Sequence, residues 1–244
     1  MGMRNKDLLD ISSLSLTEIE EIFQNAKSMK EIMKRDIKKV PTLRGRTIIN
    51  LFFENSTRTG SSFELAGKYM SADVINVSSS TSSVSKGETL WDTARTLDRM
   101  SADIIIMRHP ASGSHHLLSQ AVKARVINAG DGTHQHPTQA LLDLFTIREY
   151  INEMKGKKIT IIGDILHSRV ARSNIIGMLA LGADVWVCGP PTLMPAKIES
   201  LGVKATYDMD EAVRDSDVVM MLRIQQERQS KGLIPSNEVA GLTK

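Results

Sequence analysis

The sequence is almost without cysteine. Cys188 is the single one among 244 residues, so an internal disulfide is excluded, which fits a reducing compartment. The opening MGMRNKDLLD lacks the apolar stretch that a signal peptide needs. Gly2 follows Met1, but position 6 is Lys, which breaks the myristoylation pattern. The apolar stretch from Ile175 to Cys188 is interrupted by Asp184 and is too short to span a bilayer. A net charge of +3 is too small for a general nucleic-acid or membrane surface. No G-x-G-x-x-G follows the first strand of either half, and there is no Walker A pattern, so neither nucleotide fingerprint is present. These absences lead us to expect a soluble cytoplasmic protein, with no nucleic acid and no membrane as partner, whose anion specificity comes from local clusters.

What is present is a regular alternation. The 41% hydrophobic content permits a real core, and the length suits one large domain or two ordinary ones. Short β-branched runs occur at 47–53 (TIINLFF), 73–78 (DVINVS), 103–109 (DIIIMRH) and 125–130 (RVINAG). Between them lie SSFELAGKYM, ETLWDTARTLDRM and SHHLLSQAVK, each with apolar residues at helical spacing. The runs are apolar nearly throughout, as expected of strands covered on both faces. A long helical pattern over 138–154 precedes further strands at 159–164, 183–189, 203–208 and 217–222. The pattern predicts an α/β protein with two doubly wound parallel-sheet domains, 1–150 and 151–244, joined by the long helix. An amphipathic helix opens the chain, with Ser15 and Glu18 suited to a capping box.

Open parallel sheets bind ligands at the carboxyl ends of their strands. The strand exits therefore carry the functional reading. Ser56, Thr57, Arg58 and Thr59 stand where the first strand hands over to a helix. Unpaired N–H groups, hydroxyls and a guanidinium there form an anion cradle suited to phosphate. A plain N-cap is the structural alternative, but it needs only one hydroxyl. Arg108 and His109 end the third strand, and Pro110 turns the chain away. Arg108 reads either as a surface ion pair or as a second cation for the same rim.

GDGTHQHPTQ, residues 130–139, ends the fourth strand. Gly130 and Gly132 permit an unusual backbone, and Pro137 suits the start of the next helix. His136 and Gln139 would then return to the rim. The spacing His134-x-His136 raises a metal, but no carboxylate or cysteine set completes a coordination sphere, so none is expected. Hydrogen bonding to a neutral amide or carbonyl is the better reading. SSSTSSVSKGE, residues 78–88, reads as a linker, or as a loop that closes on ligand and delivers Lys86. In the second half Arg169, and Arg223 with Gln225, follow two strands. Two separated arginines suit a ligand with two carboxylates; the alternative for each is a solvated arginine.

In this order, FFENSTRTGSSFE, SKGETLWDT, MRHP, GDGTHQHPTQALLDL and LRIQQER closely resemble the aspartate carbamoyltransferase catalytic chains. The S-T-R-T and H-P-T-Q elements are shared with ornithine carbamoyltransferases, so they mark the superfamily alone. Arg223-Ile224-Gln225 discriminates, because the ornithine enzymes resemble S-M-G at that exit.

The resemblance implies that Ser56, Thr57, Arg58 and Thr59 grip the phosphate of carbamoyl phosphate. It implies that Arg108 bridges phosphate and carbonyl oxygen, with Thr59 and His136 reaching the same oxygen and Gln139 helping to hold the NH2. Ser82 and Lys86 match loop residues that enter a neighbouring subunit's site. Arg169 is expected on the α-carboxylate of L-aspartate, and Arg223 with Gln225 on its side-chain carboxylate.

A homotrimer with shared sites, no metal, no organic cofactor and a role in de novo pyrimidine biosynthesis follow from the family. Regulatory chains are a further partner that it leaves open. The family continues with a His-Pro-Gly-Pro or His-Pro-Ala-Pro strand and a final helix, whereas this sequence stops at Lys244. The expectation is therefore a second sheet one strand short. The alternatives are an ornithine or other amino-acid carbamoyltransferase, or a non-catalytic anion-binding form.

Overall fold

The computed structural model describes residues 4–54, 56–78 and 89–224. The chain divides into two compact units, 1–139 and 140–244. The division falls in the first turn of the long helix; the boundary drawn from the sequence near 150 lies at that helix's other end.

The first unit holds helix α1 (Leu16–Met33), strand β1 (Thr47–Phe52), α2 (Thr57–Tyr69), β2 (Asp73–Ser78), α3 (Leu90–Arg99), β3 (Ile104–His109), α4 (Ser114–Ala121) and β4 (Arg125–Asp131). Its sheet has the order β2-β1-β3-β4, and every pairing is parallel. The two-residue period of a strand sends neighbours to opposite faces. Ile49, Leu51, Ile105 and Met107 pack with Ala94, Leu97 and Leu118 from α3 and α4. Ile48 and Ile106 pack on the other face with Phe63 of α2. Apolar character on both faces is thus what a doubly wound sheet requires, and the central strands are buried along most of their length. Edge strand β2 is less covered: Ile75 is half exposed.

At the start of α1 the Ser15 side chain accepts from Glu18 N, and Glu18 returns a bond to Ser15 N. Hydrogen bonds from the Ser15 hydroxyl and from the Ser15 and Arg4 backbone hold the Glu18 carboxyl down at about 2. The capping box expected from the sequence is present. Before it, the amino-terminal arm lines the outer edge of β4, where Leu8 N donates to Val126 O and Asn128 N donates to Leu8 O.

The second unit begins with most of α5 (Pro137–Ile151). Then follow β5 (Lys158–Ile162), α6 (Arg169–Ala180), β6 (Asp184–Cys188), β7 (Lys204–Thr206), α7 (Met209–Val213) and β8 (Val218–Met221). Its parallel sheet has the order β7-β6-β5-β8. All eight strands foreseen in the sequence form. β7 is shorter than expected, because Asp208 caps α7 by accepting from Asp210 N and Glu211 N. Helix α5 stops at Ile151, where Asn152 turns left-handed at φ 60°. Cys188 is buried at the end of β6; burial first, then Asp208 and Glu211, push its thiol upward. Among the described residues, no helix is long and apolar enough to cross a membrane.

Candidate active site

Strand order locates the site. In the first sheet the chain moves outward from β1 to β2, then returns to place β3 on the other side of β1. Connections leave β1 and β3 in opposite directions, which makes their carboxyl ends a topological switch point, the place where open α/β sheets bind ligands. The Ser56–Thr59 segment leaves β1 at that point, and Arg108 is the second-last residue of β3, in register with Phe52.

The cluster forms the first turn of α2. Ser56 is the N-cap residue, yet its side chain makes no capping hydrogen bond. The plain N-cap alternative therefore does not describe what this serine does. Gly60 N donates to Ser56 O, which starts the helix. Thr57, Arg58 and Thr59 follow with the partial positive charge of the helix end around them. Arg108 Nη1 lies 3.4 Å from Thr59 Oγ1. On its other side, Arg108 Nε donates to Glu54 Oε2 at 3.0 Å, with both side chains mostly covered. The structure thus joins three residues from the exits of β1 and β3.

The exit of β4 lies next to that of β3, one strand spacing away at about 4.8 Å. Pro137 is the first residue of α5, as its fixed φ suits. His136 is buried just before it, with its Nδ1 3.3 Å from Thr138 Oγ1. Gln139 N donates to His136 O.

Asp131 organises the preceding loop. It is fully buried. Its Oδ1 accepts from Asn128 Nδ2 and Gln135 N, both at 3.0 Å. Its Oδ2 accepts from Gly113 N at 2.8 Å and faces His134 Nδ1 at 3.1 Å. Burial works to raise this carboxyl; the Gly113 and Asn128 hydrogen bonds, with His115 and His134, outweigh it and hold it below the ordinary range. Gly132 follows at φ 46°, and a Cβ there would stand 2.9 Å from Pro110 O, so the close approach of the two loops needs glycine.

One carboxylate, that of Asp131, reaches His134. It does not complete a metal set: no cluster of three such ligands occurs among the described residues.

The second unit repeats the device. Its order reverses at β5, so β5 and β8 flank the switch point. Gly163 leaves β5 at φ 128°, where a Cβ would meet Leu222 O at 2.7 Å. Asp164 is buried and accepts from His167 N, and its Oδ1 lies 2.9 Å from His167 Nδ1. Ser168 caps α6 by accepting from Ala171 N. Arg169 is the first residue of α6 and is 1% exposed. Arg223 follows β8 and is exposed. The two arginines follow the strands that flank one switch point but are presented differently, Arg169 buried and Arg223 exposed. Ser82, Lys86 and Gln225 lie outside the described residues.

Two carboxylates of this site were not singled out in the sequence. Glu54 was legible only as the acidic residue beside the hydroxyl cluster. Asp131 carried a signal in standing between two glycines at a strand exit, a place for a side chain that gathers backbone N–H groups.

Comparison with known proteins identifies the family. Residues 6–149 match the aspartate/ornithine carbamoyltransferase, carbamoyl-P binding domain family. The chain is 58% identical over 236 residues to the aspartate carbamoyltransferase catalytic subunit of Moorella thermoacetica, covering 97% of this chain and 77% of that relative. Aspartate transcarbamoylase from Trypanosoma cruzi, solved in complex with carbamoyl phosphate, superposes with a TM-score of 0.85 at 32% identity, over 94% of this chain and 75% of that one. The same enzyme with carbamoyl phosphate and aspartate gives 0.83 at 32% identity, over 93% and 75%. With the order of both sheets, the cluster after β1 and the arginine ending β3, these likenesses place the chain in the aspartate/ornithine carbamoyltransferase family, alongside the aspartate carbamoyltransferase catalytic subunits.

Proposed function

We propose that the chain transfers the carbamoyl group of carbamoyl phosphate to the amine of L-aspartate, giving N-carbamoyl-L-aspartate and phosphate. The carrying observation is the meeting of Thr59 and Arg108 across the β1/β3 switch point. Residues 1–150 take carbamoyl phosphate and residues 151–244 take aspartate. Ser56, Thr57, Arg58 and Thr59 hold the phosphate at the amino end of α2. Arg108, Thr59 and His136 meet the carbonyl oxygen, and Gln139 supports the NH2 group.

The aspartate nitrogen attacks the carbonyl carbon. A C–N bond forms, the C–O bond to phosphate breaks, and the proton lost by the nitrogen passes to the departing phosphate. Charge grows on the carbonyl oxygen, where each fixed donor lowers the barrier by about 2.7–4 kcal/mol. Positioning two small anions together contributes a further proximity effect. Arg169 and Arg223, with Gln225, account for the two carboxylates of aspartate. Ser82 and Lys86 are read as contributions from a neighbouring subunit in a homotrimer. The cytoplasm and pyrimidine biosynthesis are the setting this chemistry suits.

An assay of carbamoylated product with aspartate and ornithine side by side tests the reading. Product with aspartate alone is expected. Product with ornithine instead would establish the other branch of the family, and carbamoyl phosphate binding with no turnover would indicate an anion-binding form.

A further inference from the structure

The carboxylate of Asp131 does more than satisfy its own loop. Its Oδ1 takes Gln135 N, one residue before His136. Its Oδ2 takes Gly113 N, in the connection that follows Arg108 and β3. Backbone bonds reinforce the tie: Gly132 N donates to His109 O, and Asp131 N donates to Gln135 O. The ladder between β3 and β4 is irregular at this place, with a register shift between Met107 and His109. Regular pairing therefore does not fix the two exits relative to each other. One buried carboxylate spans the irregularity.

We propose that Asp131 is a positioning residue: it sets the separation of the Arg108 and His136 exits, and so the pair of groups that meets the carbonyl oxygen. The inference rests on the carbamoyl-transfer reading above. It separates Asp131 from the Ser56–Thr59 cradle, which belongs to the start of α2, whereas the groups bonded to Asp131 lie on Gly113, Asn128, His134 and Gln135. Its chemistry is specific to a carboxylate. Two acceptor oxygens serve four donors, so an amide of the same shape turns an NH2 toward either Gly113 N–H or Gln135 N–H.

The test is Asp131→Asn in the full chain, read in four ways: kcat, KM for carbamoyl phosphate, calorimetric affinity for inorganic phosphate, and Tm. We expect kcat to fall on the order of 10–100-fold, as misplacement of about an ångström does. Phosphate affinity should fall far less than kcat, since the Ser56–Thr59 cradle is untouched and Arg108 is only one of the groups expected on the phosphate. A kcat within about threefold of wild type in a folded variant overturns the proposal. So does an equal loss of kcat and phosphate affinity, which marks general loosening. If Asp131→Asn does not fold, His134→Gln removes a single partner of Oδ2; it should lower kcat severalfold with phosphate affinity kept, and an unchanged kcat overturns the proposal. Wild-type protein that makes no carbamoyl aspartate would instead strike the proposed function, and the role assigned to Asp131 with it.

Discussion

Arg108 and Glu54, separated by 54 positions in sequence, are paired through Nε and Oε2 at 3.0 Å beside Thr59. The carboxylate fixes the plane of the guanidinium, and Arg108 Nη1 lies nearest to Thr59. A planar cation held on one edge is pre-oriented for an anion on another.

Removing that orientation should be costly. Arg108→Ala is expected to lower kcat about 10²–10³-fold, the effect of losing one donor to a developing oxyanion. Glu54→Ala should cost about tenfold, because the arginine remains but is no longer aimed. Steady-state kinetics on both variants checks this; a Glu54→Ala enzyme with wild-type kcat would contradict the orienting role.

The hydroxyl cluster and the serine-rich loop are tested together. Arg58→Ala and Lys86→Ala chains should each be inactive, since one loses phosphate charge compensation and the other the cation assigned to the neighbouring site. Mixed oligomers of the two should regain measurable activity, because some sites would combine both intact residues. No recovery after confirmed subunit exchange would argue against shared sites.

Arg223 stands exposed after β8, where the second sheet reverses. If it takes the side-chain carboxylate, Arg223→Met should raise KM for aspartate by about 10²-fold, as loss of a charged hydrogen-bonding partner does. KM for carbamoyl phosphate should change little. Equal effects on both substrates would count against the assignment.

The pH dependence of stability follows from His115. It is fully buried, with Nε2 2.5 Å from Met107 O. Burial first pushes its pKa down to about 4; the Met107 bond and Asp131 oppose this, while His109 and His116 add to it. The folded chain therefore refuses a proton that the unfolded chain accepts below about pH 6.5. Stability should be complete above pH 6.5, fall by roughly 3 kcal/mol between pH 6.5 and 4, and gain no further loss from this group below 4. Urea unfolding across that range checks it. His115→Gln should flatten the slope without abolishing it, because burial also lowers His109.

Gly132→Ala places a Cβ against Ser112 Oγ and 2.9 Å from Pro110 O. The hydroxyl can turn away, but the carbonyl cannot move without the loop. We expect a loss of about 1–3 kcal/mol in unfolding free energy, with a lower Tm. An unchanged urea midpoint would show that the two loops separate easily.

Much of this molecule is legible in its sequence. Period and β-branching give all eight strands, Ser15 and Glu18 give the first cap, and Pro137 gives the start of α5. Proximity along the chain explains each case. What periodicity does not carry is which strand lies beside which. The pairing of β1 with β3 joins Arg108 to Glu54 and Thr59, and that order emerges only from the folded sheet. Asp131 escaped for a related reason: its partner Gly113 is 18 positions away. Helix α5 was drawn too long because Asn152 and its neighbours keep a helical composition after the backbone has turned left-handed.

The solitary, enclosed thiol at Cys188 has a practical corollary. A thiol out of reach of solvent, with its ionisation suppressed, offers little to maleimides. A cysteine introduced in the exposed 34–39 segment, ahead of β1 and away from the carboxyl edge, would then be the preferred point of attachment. A fluorophore or spin label could be anchored there on the otherwise native chain, and ligand binding followed without disturbing the groups that grip it.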